Sequence, residues 1–365
     1  MFMRKERHYT IPFFIIHRGC PNQCVFCDQK SISGHDPVRP GSIRSSIERY
    51  LDTIPSGRRI VEVGFFGGSF TSLEVEYQRE LLREAGVFLK NGKINGIRLS
   101  TRPDSITETG LDILSDGGVK CIELGVQSMN DSVLEGCMRG HTSEDVVKAS
   151  EMIISRGFRL GHQMMVGLPG SSFADEVRTA FSSCELGASD IRIYPLLVMR
   201  NTPLAEMYHA GKYVPLSDED AVERSALLMA LFISRGRTVI RCGLHPSSEI
   251  LNGKGMIAGP FHPAFGFRCE SRMFGLILEK FAAGSRKADR FLINPSDRPA
   301  FTGHKKENVP MIRAVSRGGG AAPVTADPRI PRYSLSVKAG EDEIILTCGD
   351  ITPVLEEENK RGRRP

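Results

Sequence analysis

A chain of 365 residues with 40% hydrophobic content exceeds one average domain and is long enough to bury a large core. Its formal charge of +5 is mildly basic, which permits a nucleic-acid partner without requiring one. Nine unevenly spaced cysteines, with neither a secretory leader nor an apolar run of membrane-spanning length, exclude a disulfide framework and a membrane span, and predict a soluble protein of the reducing cytoplasm.

The first apolar run, Ile11 to Ile16, is rich in Ile and Phe and reads as a buried strand. Directly after it, within His17 to Gly34, stand Cys20, Cys24 and Cys27 at C-x3-C-x2-C spacing. A loop at a strand's end lets three thiolates from one short segment converge on one centre, and thiolates suit zinc or an iron–sulfur cluster. A closed structural site takes four ligands, whereas three leave one position for chemistry. On the residues alone the loop reads as a cluster site, as a zinc loop with a remote fourth ligand, or as three unrelated buried thiols.

The spacing next predicts a helix over 42–54, with Ile43, Ile47 and Leu51 on one face. A strand over 60–66 ends in Gly67-Gly68-Ser69-Phe70, where glycines let backbone carbonyls approach a ligand closely. A helix over 74–90 leads to a strand over 97–100, closed by Thr101-Arg102-Pro103-Asp104, and to a helix over 105–116. Strands follow at 120–126, 159–166 and 190–197, with helices at 131–137, 143–156 and 172–185.

This alternation predicts six parallel β/α units forming a partial barrel, with ligands at the C-terminal ends of its strands. The cysteine loop, the Gly-Gly turn and the Thr-Arg-Pro-Asp turn all fall at those ends and are expected to face one pocket. Aliphatic strand residues such as Ile122, Leu124 and Val126 are expected to line the interior. A helix over 218–235 closes a core assigned to 9–237. An accessory α/β region at 238–312, a flexible Gly-, Ala- and Pro-rich linker at 313–330, a terminal hairpin within 331–358 and a disordered basic tail at 359–365 follow.

The three-cysteine loop closely resembles that of the radical S-adenosylmethionine (SAM) superfamily. Gly125-Val126-Gln127-Ser128, Arg139-Gly140-His141-Thr142, Thr101-Arg102-Pro103-Asp104 and Ile193-Tyr194-Pro195 extend the likeness over Tyr9 to Leu204. They are similar to the radical SAM domain of the Elongator catalytic subunit and its bacterial relatives. The resemblance implies an α/β fold, a partial (β/α)6 TIM-like barrel. It implies a 4Fe-4S cluster held by Cys20, Cys24 and Cys27, with S-adenosyl-L-methionine chelating the fourth iron. A one-electron donor such as flavodoxin or ferredoxin would reduce the cluster, which would cleave SAM and start radical chemistry on a substrate.

By the same resemblance, Gly67, Gly68 and Ser69 bind the methionine amino group, Gln127 the ribose or carboxylate, and Arg139 the carboxylate, where an arginine fork suits the task. Gly167-Leu168-Pro169-Gly170 would lie near the adenine. Two positions depart from the family: Ser100 stands where many relatives carry Glu, and Gln163 where some carry Asp. Both remain candidate SAM contacts with altered detail.

The chain past Leu204 is of different character from that subunit's acetyltransferase domain, which is expected to be missing. The substrate class this suggests is tRNA. Its rivals are a small-molecule or tetrapyrrole substrate, as in coproporphyrinogen-oxidase-like relatives, and a non-catalytic zinc scaffold. Cys121 reads as core, and Cys137, Cys184, Cys242, Cys269 and Cys348 lack paired spacing. His245, His262 and His304 read as structural histidines, and Lys305-Lys306 as solvated surface.

Overall fold

A computed structural model describes residues 7–15, 20, 23–28, 38–244, 248–253 and 255–361. Parts of the cysteine loop, His245 and the last four residues of the basic tail lie outside the described residues. The early apolar runs form strands β1 (Arg7–Ile15), β2 (Arg59–Gly67), β3 (Gly96–Thr101), β4 (Val119–Gln127), β5 (Arg159–Val166) and β6 (Asp190–Pro195). A two-residue β7 (Val198–Met199) pairs with β9 (Met256–Ala258), and between them lies β8 (Thr238–Cys242). The main sheet has the order β1-β2-β3-β4-β5-β6-β8, parallel throughout, and curls as a half-barrel with helices on its convex side.

Six strands were expected, and β8 makes a seventh. Thr238 begins its ladder by donating from its backbone N–H to the Ser189 carbonyl at 2.8 Å. The core sheet therefore crosses the boundary drawn at residue 237. In sequence this five-residue run lies isolated between Gly236 and Gly243, and only its pairing with β6 identifies it.

Successive side chains on a strand take opposite faces. Ile11, Phe13 and Ile15 of β1 are buried beneath the helices, while Thr10, Pro12 and Phe14 line the concave face. The same alternation corrects the expectation for β4. Ile122, Leu124 and Val126 are fully buried in the hydrophobic core under the helices, whereas Gly125 and Gln127 line the cavity. The helices need an aliphatic surface to pack on, so the aliphatic set belongs to the convex face and the polar set to the interior.

The covering helices begin where their sequences supply caps. Thr142 with Asp145, and Ser172 with Asp175, form reciprocal capping boxes at Ser143–Ser155 and Phe173–Glu185, each cap contributing about 1 kcal/mol. The helices Asp218–Ser234 and Phe265–Ala283 pack on each other and extend the same core.

A second sheet has the order β11-β10-β12-β13, from β10 (Arg290–Ile293), β11 (Val324–Ala326), β12 (Ser334–Ala339) and β13 (Asp342–Thr347). Strands β12 and β13 pair antiparallel within the stretch read as a terminal hairpin. Residues 313–330, read as a flexible linker, include β11, which runs parallel to Phe291–Ile293. Residues 359–361, read as disordered tail, continue a helix, Pro353–Arg361, that starts at a proline suited to a helix's first turn. Phe301 packs against the rings of Phe274 and Phe291 at 6.1 and 5.4 Å, joining this sheet to the Phe265–Ala283 helix. Among the described residues, no helix is long and apolar enough to cross a membrane.

Candidate functional site

The concave face of the half-barrel walls a cavity of about 1460 Å³. Cys20, Cys24 and Cys27 line it where the chain leaves β1. The Val25 N–H donates to the Cys137 carbonyl at 3.1 Å, and the Leu204 N–H to the Val25 carbonyl at 2.8 Å. Val25, Cys137 and Leu204 also share a small buried apolar cluster, so the cysteine loop is pinned by backbone and side chain together.

Cys24 is buried, and its Sγ accepts from Arg139 Nη1 at 3.2 Å. Arg139 Nη2 donates to the Gly125 carbonyl at 2.7 Å. Arg102 donates to the Arg139 carbonyl and clasps Asp104 through two bonds of 2.9 Å. His141, of the same Arg-Gly-His-Thr run, stands with Nε2 3.3 Å from the Val126 carbonyl, and burial beside Arg139 and Arg102 pushes its ionisation down to about 4.

Burial, with the Cys24 and Cys20 thiols adding to it, pushes the Cys27 thiol up to about 12. Burial also raises Cys20, against the pull of Arg102. The three thiols thus share one cavity, and Cys24 adds to the upward push on both Cys20 and Cys27. Among the described residues they do not stand together as a compact metal-holding group.

Gly67 and Gly68 line the cavity at the end of β2. Gly67 has φ +98°, and a Cβ there would lie 3.4 Å from the Ile15 carbonyl oxygen, so glycine is required by backbone conformation. Ser69 sits behind this turn. Its Oγ is 3.0 Å from Ser72 Oγ and from Thr101 Oγ1, and it ties the β2 turn to the β3 turn instead of facing the cavity. Gln127 ends β4 at a register shift with φ +64°, unusual for a non-glycine residue. It lines the cavity, and its Oε1 is buried with no hydrogen-bond partner among the described residues; the same holds for Arg139 Nε. Unpaired buried polar atoms are costly, and two of them beside the cysteines suit a ligand with both donors and acceptors.

Ser100 and Gln163 meet on the cavity wall, Gln163 Nε2 donating to Ser100 Oγ at 2.7 Å and to Glu123 Oε2 at 2.9 Å. The Gly167-Leu168-Pro169-Gly170 turn does not line the cavity. Tyr213 donates to the Gly167 carbonyl at 2.7 Å, the Gly167 N–H donates to Glu176 at 2.7 Å, and Leu216 lies over the glycine. Burial pushes Glu176 up to about 7 despite Arg224.

The floor of the cavity is ionic, and the sequence reading missed it. Arg98, almost wholly buried, reaches Glu123 at 2.8 Å, Glu62 at 3.1 Å and Asp190 at 2.8 Å. Arg159 joins Glu62 at 2.9 Å and Asp190 at 3.3 Å, and Arg192 grips Glu123 at 2.5 and 3.0 Å. Burial opposes the ionisation of Glu62, but His8, Arg98 and Arg159 outweigh it and hold the carboxyl at about 2. Burial opposes that of Glu123 too, and Arg192 and Arg98 hold it below the usual range. The signal was available: Glu62, Arg98, Glu123 and Arg192 are ionisable residues each flanked on both sides by aliphatic residues within a strand.

Of the other cysteines, Cys121 stands 3.5 Å from Arg98 on this floor, and the Cys242 and Cys269 sulfurs are 3.7 Å apart. All nine cysteines are free.

Comparison with known proteins follows this geometry. The family model of the radical SAM superfamily matches residues 14–181, and that of the radical SAM C-terminal domain matches 189–274. A tRNA uridine(34) acetyltransferase of Methanocaldococcus infernus is 28% identical over 244 residues, 56% of this chain and 46% of that protein. An uncharacterized protein of Methanocaldococcus jannaschii is 30% identical over 229 residues, 60% of this chain and 70% of its own length. The solved archaeal Methanocaldococcus infernus Elp3 superposes with a TM-score of 0.57 at 22% identity, covering 73% of this chain and 63% of that one, a likeness of fold. The chain spans about half the length of the acetyltransferase it matches.

Proposed function

Because the chain belongs to the radical SAM superfamily of enzymes, we propose that Cys20, Cys24 and Cys27 hold a 4Fe-4S cluster and that SAM binds beside it in the cavity. The observation that carries this reading is the juxtaposition of three thiols, the Gly67-Gly68 turn and the unpaired Gln127 Oε1 and Arg139 Nε around one cavity. Three soft thiolates suit iron and leave one coordination position for a ligand. When bound, the cluster and SAM supply a reductively generated radical that abstracts hydrogen from substrate.

The protein's own residues have separate tasks. The Gly67-Gly68 backbone would accept from the SAM amino group. Arg139 would turn its guanidinium between Cys24 and the SAM carboxylate, and Gln127 would offer Oε1 to a ribose hydroxyl. The cations Arg139 and Arg102 favour thiolate over thiol in the buried loop. Ser100 and Gln163, bonded to each other, would replace the carboxylates of relatives with neutral groups at that wall. Ser69 would act through the turn that it ties, not by contact.

We assign tRNA as the substrate class, a one-electron donor such as flavodoxin or ferredoxin as the partner, and the cytoplasm as the location. The support for tRNA is the named activity of the acetyltransferase relative together with the chain's basic charge.

Anaerobic reconstitution with iron and sulfide, followed by electron paramagnetic resonance with and without SAM and an assay for 5′-deoxyadenosine, tests the reading. We expect a reduced-cluster signal that SAM perturbs, with 5′-deoxyadenosine formed and both lost in Cys24→Ala. A colourless zinc protein that leaves SAM intact would replace this reading with a scaffold.

A further inference from the structure

Among the described residues the cavity wall carries six arginines, Arg98, Arg102, Arg139, Arg159, Arg192 and Arg241, and five of them are committed. Arg98, Arg159 and Arg192 are held by the carboxylates of the floor, Arg102 by Asp104, and Arg139 by Cys24 and the Gly125 carbonyl. Arg241 differs. Its Nε donates to the Gly243 carbonyl at 3.0 Å, and among the described residues neither terminal nitrogen has a carboxylate partner.

Its position is set by the strand. The β6–β8 register shifts between Ile191 and Arg192, so that Arg192 pairs with Arg241. Neighbours in register share a face, and the shift turns Arg241 into the cavity beside Arg192. Two guanidinium groups side by side are unfavourable. Glu123 neutralises Arg192, but among the described residues no carboxylate does the same for Arg241. Burial, with Arg192 adding to it, pushes the ionisation of Arg241 down from the usual arginine range against the influence of Tyr194. An anion between its terminal nitrogens would relieve both effects.

The surroundings narrow the ligand. Tyr194, Ile240, Leu244 and Met199 line the same cavity, giving it apolar and aromatic surface alongside this cation. Strand β8 is the sheet edge farthest in strand order from β1 and its cysteine loop. The side assigned to SAM and the side holding Arg241 are therefore different parts of one cavity.

We infer that Arg241 is the substrate-anion contact, its guanidinium fork taking a phosphate of a nucleotide whose base lies on the neighbouring apolar wall. The phosphate assignment rests on the tRNA reading above, whereas the anion site itself rests on the Arg241 terminal nitrogens, which have no carboxylate partner among the described residues. Arginine's planar fork matches phosphate through two parallel bonds, which a lysine cannot reproduce.

The test uses the full chain with its cluster reconstituted, and measures binding of uridine, uridine 5′-monophosphate and inorganic phosphate by calorimetry. We expect the monophosphate to bind about tenfold tighter than the nucleoside, the scale of one charge-assisted contact. Arg241→Gln should close that gap, and Arg241→Lys should restore part of it, with melting temperature and iron content unchanged. If Arg241→Gln melts early, Arg241→Met keeps the apolar stem and is read the same way. An unchanged gap in a folded variant overturns the proposal. If neither uridine compound binds the wild type, the tRNA reading falls and inorganic phosphate decides. Phosphate binding lost on substitution keeps Arg241 as an anion site for another phosphorylated substrate. Phosphate binding that survives substitution, or is missing from the wild type, overturns it.

Discussion

Arg98 shows what one side chain does for this molecule. Its three guanidinium nitrogens each meet a different carboxylate, drawn from β2, β4 and β6. Such a group gains little over an apolar core when intact, but removing its centre leaves buried charges uncompensated. Arg98→Met should therefore cost about 3–5 kcal/mol in urea unfolding, and a loss under about 1 kcal/mol would show that the floor is solvated. The acid limb follows from Glu62, whose carboxyl lies at about 2 in the folded chain against an ordinary 4.5. Because the folded value is depressed, its contribution to stability is complete above 4.5 and is lost as pH falls through about 2. Acid unfolding of wild type should steepen in that window and that of Arg98→Met should be flatter there. At this scale the sequence was legible wherever chemistry is local. Cys20, Cys24 and Cys27 announce themselves by spacing, whereas the bond from Arg139 to Cys24 joins residues 115 apart and nothing local encodes it. The ionic floor went unread because its members lie on different strands and meet only when the sheet forms.

The element that matters most to the site is the cysteine loop, and what holds it is a neighbouring helix. Leu204 lies in the first turn of the Pro203–His209 helix, is fully buried, and donates its backbone N–H to the Val25 carbonyl. Leu204→Ala leaves that backbone bond but empties the apolar cluster beneath the loop, at a cost of about 2–5 kcal/mol. We expect fewer irons retained per chain along with an earlier melt. Full iron retention at a lowered melting temperature would show that the loop holds its geometry without this support. Strand and helix periods made the β/α alternation readable through β6. Strand β8 was harder, because five residues between glycines carry little periodicity. Its register shift depends on a partner 50 or so positions away and on backbone pairing that residue types do not specify. Gly67, by contrast, was readable as a turn, although its positive φ required the structure.

For the whole molecule, one hydrophobic cluster runs from Ile11 to Leu355 and contains residues of both sheets. The C-terminal sheet shares a core with the half-barrel instead of hanging from a tether. Urea unfolding should accordingly give one transition, coincident by circular dichroism and by intrinsic tyrosine fluorescence. Two resolved transitions would mean that the sheets are separable units. The Gly-, Ala- and Pro-rich stretch concealed this, because composition reports local stiffness and not the long-range pairing of Val324–Ala326 with β10. The same span of sequence has a consequence in time. At about 5–20 residues per second, Cys24 leaves the ribosome on the order of ten seconds before Arg139, the residue that bonds its sulfur. A nascent chain thus exposes its three thiols before their cationic neighbour has been made, and the buried setting of Cys24 is complete only once Arg139 has emerged.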